Sequence, residues 1–206
     1  MHAPGNETPS KAEWRARILQ ARAELPPEDH AREAAALASA AASVAAQTVC
    51  AYLPFGTEPG RISLVAALAA TGARVLLPVI PDTPGPLDWA EYTGPDALVP
   101  GRLRGVREPS GPRLGTSAVA SAEVLLIPAL AVDRHGTRLG RGAGYYDRTL
   151  PAAPDVQRLA VVRTAEVVDQ LPSEPHDVPM TAALTPAGLI RLPSRPSCPA
   201  WPGPRS

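Results

Sequence analysis

The sequence has no surplus of charge: 20 Lys and Arg stand against 20 Asp and Glu, a formal net charge of zero. Without a basic excess, the counterion release that drives nucleic-acid binding is missing, so a nucleic-acid partner is not expected. Cysteine is scarce as well. Cys50 sits in an apolar run and Cys198 in a proline-rich tail, with no CxxC or His–Cys spacing, which excludes a zinc ribbon and a disulfide framework. Residues 1–11 lack a basic stretch followed by an apolar one, and Ala34 to Ala46 is too short and too weakly apolar to span a bilayer. No internal repeat is visible at periods of 20 to 50 residues. The expectation is a cytoplasmic enzyme or binding protein with no membrane partner.

Proline is abundant instead, at 26 of 206 residues against a usual level of about 5%. Interior prolines delete a backbone donor and clash with the preceding turn, which disfavours a helix bundle; coding bias explains the Ala, Arg and Pro content equally well. The length fits one domain, expected over residues 1–192, and the pattern-free residues 193–206 are expected to form a disordered tail.

Thr8-Pro9 is expected to start a helix whose apolar stripe is Trp14, Ile18, Ala21 and Leu25, with Lys11, Arg15 and Arg22 on one flank. A second helix is expected over residues 27–44. Buried strands are expected at 48–53, 74–80, 124–128, 159–163 and 182–185, an edge strand at 87–92, and helices at 62–71 and 145–150, while 95–122 reads mostly as loop. Apolar runs alternating with helices predict an α/β fold of three layers, a mostly parallel open sheet with helices on both faces. Ligands of such sheets collect at the carboxyl ends of the strands.

The chemistry concentrates in residues 127–150, IPALAVDRHGTRLGRGAGYYDRTL, where a strand runs into a loop with four glycines and then a short helix. Gly140, Gly142 and Gly144 permit positive φ and close backbone approach, so successive N–H groups can cradle a phosphate at a helix start, with Arg138, Arg141 and Arg148 adding charge. The segment is neither a Walker A loop nor GxGxxG, because no Lys-Ser or Lys-Thr follows and Tyr145 replaces the third glycine. On these residues alone, a ligand-free glycine turn explains the segment as well as a phosphate cradle does. Asp133-Arg134-His135-Gly136 has the pattern of a type I turn, which makes Asp133 structural.

The stretch RLGRGAGYYD, preceded by LLIPALAVD and an HG turn, resembles the signature of the 5-formyltetrahydrofolate cyclo-ligase family, also called methenyltetrahydrofolate synthetase. KAEWR, AYLPFGTEP, GVREP and LPSEPHDVPM agree with that family in order and spacing, so the resemblance covers about Lys11 to Leu192. It implies a Rossmann-like, sugar-isomerase or CoA-transferase-like topology and an ATP-dependent cyclisation of 5-formyltetrahydrofolate to 5,10-methenyltetrahydrofolate, releasing ADP and phosphate. It also implies roles. Lys11, Arg15 and Arg138 would contact the ATP phosphates and act in catalysis, with Leu139, Gly140, Arg141, Gly142, Ala143 and Gly144 completing the ATP loop. Tyr145, also catalytic, and Tyr146 would contact both folate and nucleotide, Glu58 would accept hydrogen bonds from the folate, and Asp147 and Asp177 would hold Mg²⁺. The expected partners are a reduced folate and ATP, bound by a monomer. Two departures stand out: Ala143 replaces the usual Gly or Lys, touching a phosphate contact, and Ala131-Val132 replaces Ala-Phe, touching a wall of the folate pocket. These departures leave room for a non-catalytic folate- or nucleotide-binding relative, or for an enzyme acting on another carbonyl substrate.

Overall fold

Ser10, rather than Thr8-Pro9, opens the first helix in the computed structural model, which describes residues 9–175 and 177–193. Ser10 Oγ accepts from the Glu13 N–H and the Glu13 carboxylate accepts from the Ser10 N–H, a reciprocal capping box that satisfies two donors at the start of α1 (Lys11–Ala23). The buried face of α1 also differs from the expected stripe. Ala21 is exposed, whereas Arg22 is buried beside Ile18, because the Arg22 guanidinium finds a carboxylate partner in the interior. The basic flank expected from the sequence is thus part of the inward face.

The second helix, α2 (Pro27–Ala41), ends earlier than the expected residue 44. There follow β1 (Thr48–Cys50), α3 (Ile62–Ala70), β2 (Arg74–Val79) and β3 (Asp88–Glu91). The stretch expected to be loop holds a hairpin, β4 (Leu98–Pro100) and β5 (Arg107–Pro109), before β6 (Val124–Pro128). Beyond it lie β7 (Ala131–Asp133), β8 (Arg138–Leu139), α4 (Tyr145–Thr149), β9 (Gln157–Val161), β10 (Val167–Val168), β11 (Ala182–Thr185) and β12 (Gly188–Arg191). The tail residues 194–206, with Cys198, lie outside the described residues.

The main sheet runs β12-β11-β9-β6-β1-β2-β3. Its inner strands pair in parallel and its two edge strands antiparallel, which bears out the expected mostly parallel α/β sheet. Side chains alternate strictly between faces. Val49, Val75, Leu126, Leu159 and Leu184 pack under α2 and α3, while Cys50, Leu76, Leu125, Ala160 and Ala183, with Trp89 of β3, face a second layer that includes Leu150 and Val119. With both faces covered, these strands read as continuous apolar runs.

A smaller sheet, β10-β7-β8, packs through Ala131 and Leu139 against Ile18 and Trp14 of α1. Its hairpin turn is fixed by Asp133, 1% exposed, whose carboxylate accepts from the N–H groups of His135, Thr137 and Leu171 while Gly136 N–H closes the turn onto Asp133 O. Among the described residues no helix is long and apolar enough to cross a membrane.

Candidate active site

Taken in chain order, the five parallel strands β1, β2, β6, β9 and β11 lie in the spatial order 2-1-3-4-5, which places a topological switch point between β1 and β6. The connections leaving those two strands diverge there, and a cavity of about 200 Å³ opens at their carboxyl ends. Tyr52, Leu53, Phe55 and Glu58 enter it from the loop after β1, Leu77, Pro78 and Ile80 from the end of β2, and Pro128 and Ala129 from the end of β6. The opposite wall is the glycine-rich loop from Arg138 to Asp147.

Gly142 (φ +99°) and Gly144 (φ +71°) take left-handed backbone conformations that other residues adopt at a cost, and this shape lays the loop along the cavity. α4 has only five residues, so its dipole adds little and the expected anion cradle reduces to loop N–H groups and arginines. Arg15 of α1 donates from Nε to Gly140 O at 3.0 Å, and an added Cβ on Gly142 would lie 3.8 Å from its Cζ. Arg138 pairs with Asp147 (Nη2 to Oδ1, 2.6 Å) and lies 5.9 Å from the Tyr146 ring centre. Arg148 donates to Ala143 O and to Gly85 O and sits over the Tyr145 ring, tying the loop to the segment before β3. Lys11 pairs with Asp177 at 2.9 Å and with Glu174 at 3.5 Å. Lys11 and Asp177 do not line the cavity, but Lys11 stands one turn before Arg15 on the same helix.

Glu58 faces the loop from the other wall. Its side chain is 6% exposed, Oε2 accepts from the Phe55 N–H at 3.2 Å, and Oε1 lies 3.3 Å from Arg141 Nε. Burial pushes its carboxyl above the ordinary carboxylate value, with Arg141 and the Phe55 N–H pulling the other way. The Arg141 guanidinium also stacks over Phe55 at 5.2 Å. Burial raises the phenol of Tyr146 too, with the nearby Glu58 charge adding to the effect, so Tyr146 stays a neutral hydroxyl. The apolar cavity thus carries the carboxylates of Glu58 and Asp147, the phenols of Tyr52, Tyr145 and Tyr146, and a set of arginines.

The structure gathers Glu58, Arg138, Gly140 to Gly144, Tyr145, Tyr146 and Asp147 on one cavity and brings Arg15 against it, whereas Leu139 does not line the cavity because its side chain is buried in the apolar contact with Ile18 of α1. Ala131 and Val132 are fully buried behind it and do not line it, so that departure does not reshape the wall as expected; Pro128 and Ala129 form it instead. Ala143 does lie on the cavity. Sequence reasoning missed Tyr52 and the β4–β5 hairpin residues Leu103, Val106 and Arg107, which also line the cavity. The apolar Leu98-Val99 before Gly101, with Leu103 and Val106 on either side of Gly105, was the available signal for that hairpin.

Among the described residues no group of three or more His, Cys, Asp or Glu side chains is placed to hold a metal ion. Mg²⁺ does not require one, because it binds through one or two carboxylates, phosphate oxygens and water. Asp147 fits such a role: Oδ1 is held by Arg138 and the side chain stays accessible on the cavity. Asp177 is anchored by Lys11 and accepts from the Glu174 N–H, away from the cavity lining, so the structure does not bring it beside Asp147 on the cavity as expected.

The family model described as the 5-formyltetrahydrofolate cyclo-ligase family matches residues 7–186. The chain belongs to that family. It is 48% identical over 191 residues to the cyclo-ligase of Mycolicibacterium smegmatis, covering 89% of this chain and 97% of that one. The cyclo-ligase of Escherichia coli K12 is 35% identical over 147 residues, covering 70% and 80%. The fold matches Aquifex aeolicus 5,10-methenyltetrahydrofolate synthetase with a TM-score of 0.75 at 25% identity, covering 92% of this chain and 96% of that one. A synthetase from Mycoplasma pneumoniae shares the fold with a TM-score of 0.63 at 19% identity, covering 84% and 97%. This cyclo-ligase family member is an enzyme, as its relatives are.

Proposed function

We propose that the enzyme uses ATP to close 5-formyltetrahydrofolate to 5,10-methenyltetrahydrofolate, releasing ADP and phosphate. The observation that carries this reading is that Glu58 and the arginine-bearing glycine loop face each other across one cavity at the switch point of the sheet. A carboxylate suits the N–H donors of a reduced pterin, an apolar slot suits its ring, and arginines with loop N–H groups suit a triphosphate.

The formyl oxygen is a poor leaving group, and its attack on the γ-phosphorus of ATP, with ADP departing, converts it into a good one. Nitrogen 10 then attacks the activated formyl carbon and loses its proton, and phosphate leaves as the new C–N bond forms. Phosphoryl transfer of this kind needs positioning and charge neutralisation rather than a covalent protein nucleophile. Arg15, Arg138 and Lys11 neutralise phosphate charge, Arg141 and the N–H groups of Leu139 to Gly144 orient the chain of phosphates, and Glu58 anchors the folate. Tyr145 and Tyr146 hold the pterin and the reacting phosphate in register. Mg²⁺, when bound, would further neutralise phosphate charge, and the carboxylates that would hold it are Asp147 on the cavity and Asp177 beside Lys11.

Incubating the purified enzyme with 5-formyltetrahydrofolate, ATP and Mg²⁺ while following the near-ultraviolet absorbance of the methenyl product tests the reading. Product and ADP are expected in equal amounts, and only with all three components present. Tight binding of both ligands without product would overturn it.

A further inference from the structure

Behind the Glu58 loop lies a buried ionic cluster that the reaction above does not use. The Arg22 side chain is 1% exposed and grips Glu166 with two bonds, Nε to Oε1 at 2.7 Å and Nη2 to Oε2 at 2.8 Å. The same Nη2 donates to Ala129 O at 2.7 Å. Arg163 donates from its backbone N–H to Glu166 Oε2 at 2.7 Å, from Nε to Glu33 Oε2 at 2.7 Å, and from Nη1 to Thr57 O at 3.3 Å. His30 Nε2 lies 3.1 Å from Glu58 O, which it meets as a donor.

A cluster like this is a poor way to add stability. Withdrawing ions from water costs more than most buried pairs return, and apolar packing of the same volume does as well or better. Among the described residues Arg22 Nη1 is moreover left buried with no hydrogen-bond partner, a further cost. What the cluster achieves is placement: the carbonyls of Thr57, Glu58 and Ala129 are pinned, and Glu58 and Ala129 stand on two different walls of the cavity. Among the described residues, the bonds of Arg22, Arg163, Glu166 and His30 all end on this side and none ends on the glycine loop.

We propose that Arg22, Glu166, Arg163 and His30 are positioning residues for the folate half of the site, fixing the distance between Glu58 and the Ala129 wall. The proposal rests on the function read above, with Glu58 as the folate anchor. A displacement of about 1 Å at such an anchor is enough to cost one to two orders of magnitude in productive binding. The effect belongs to the folate and not to the nucleotide.

The test uses an R22M/E166L double variant, which removes both charges together so that neither is stranded, and His30→Ala, which deletes one surface-facing tether. Calorimetric binding of 5-formyltetrahydrofolate without ATP, KM for each substrate and melting temperature are measured. The double variant is expected to bind the folate ~10-fold more weakly and His30→Ala ~3-fold, with KM for ATP changed by less than about twofold. Unchanged folate affinity in folded variants, or equal losses for ATP and folate, would reduce the cluster to a structural role and overturn the proposal. If the double variant does not fold, His30→Ala and Arg163→Lys decide by the same criterion. Failure of the wild-type enzyme to bind 5-formyltetrahydrofolate would instead sink the functional reading on which the proposal stands.

Discussion

At Glu58, the proposed role and the stability of the fold pull in opposite directions. Its carboxyl is raised above 4.5 chiefly by burial, so the folded state binds the proton more readily than the unfolded chain and stability falls as pH rises from 4.5 through the raised value. Above that window the folded protein carries the full cost of a buried anion. Glu58→Gln is therefore expected to melt higher than the parent at neutral pH, with the gap closing as the pH is lowered towards 4.5, and to bind 5-formyltetrahydrofolate ~10–100-fold more weakly. A melting series against pH with calorimetry checks both. The two aspartates make a second case. Asp147 is tied to Arg138 and Asp177 to Lys11, two cations assigned here to the same phosphates. If both acids serve one Mg²⁺, Asp147→Asn and Asp177→Asn should each lower the rate and weaken its dependence on Mg²⁺, and the double variant should lose less than the sum of the singles in free energy. Additive losses would put the acids at separate places.

At the scale of elements, the glycine loop is the part whose backbone matters more than its side chains. Gly142 has no neighbour closer than 3.8 Å to an added Cβ, so a substitution there meets little steric resistance, yet its φ of +99° strains any other residue. Gly142→Val is expected to cost ~1–3 kcal/mol of stability and to weaken nucleotide binding at least 10-fold, while folate binding in the absence of ATP changes little. Wild-type ATP affinity in this variant would remove the loop from the phosphate site. The loop was legible from its glycines and tyrosines because they are adjacent in sequence, as were β1, β2, β6, β9 and β11, whose double-sided burial leaves apolar runs. The hairpin β4–β5, the strands β7, β8 and β10, and β12 were not: they are two to four residues long, too short for a period to register, and β4, β5, β8 and β12 also carry Pro or Arg. Nor was the Arg22–Glu166 pair, since its partners stand 144 residues apart and each alone reads as a surface charge.

For the molecule as a whole, the cavity joins segments from Tyr52 to Asp147, so ligands that fill it act on global stability. At a hundred times its dissociation constant a ligand adds about 2.7 kcal/mol, which in a chain of this length raises the melting temperature by roughly 5–10 °C. The two ligands are not expected to act independently. Arg141, on the wall proposed for the nucleotide, is paired with Glu58, on the wall proposed for the folate. Phosphates that draw Arg141 away leave the buried Glu58 charge in need of donors, which the folate brings; a folate that satisfies Glu58 releases Arg141 for the phosphates. Each ligand thus removes a competitor of the other, and linkage makes the benefit mutual. With a non-hydrolysable ATP analogue and 5-formyltetrahydrofolate together, the stabilisation free energy should exceed the sum of the two separate values by about 1–2 kcal/mol. In Arg141→Ala that excess should vanish even where both ligands still bind. An excess that survives in Arg141→Ala would place the coupling elsewhere in the cavity, and strict additivity in the wild-type enzyme would show that the Arg141–Glu58 pair links nothing.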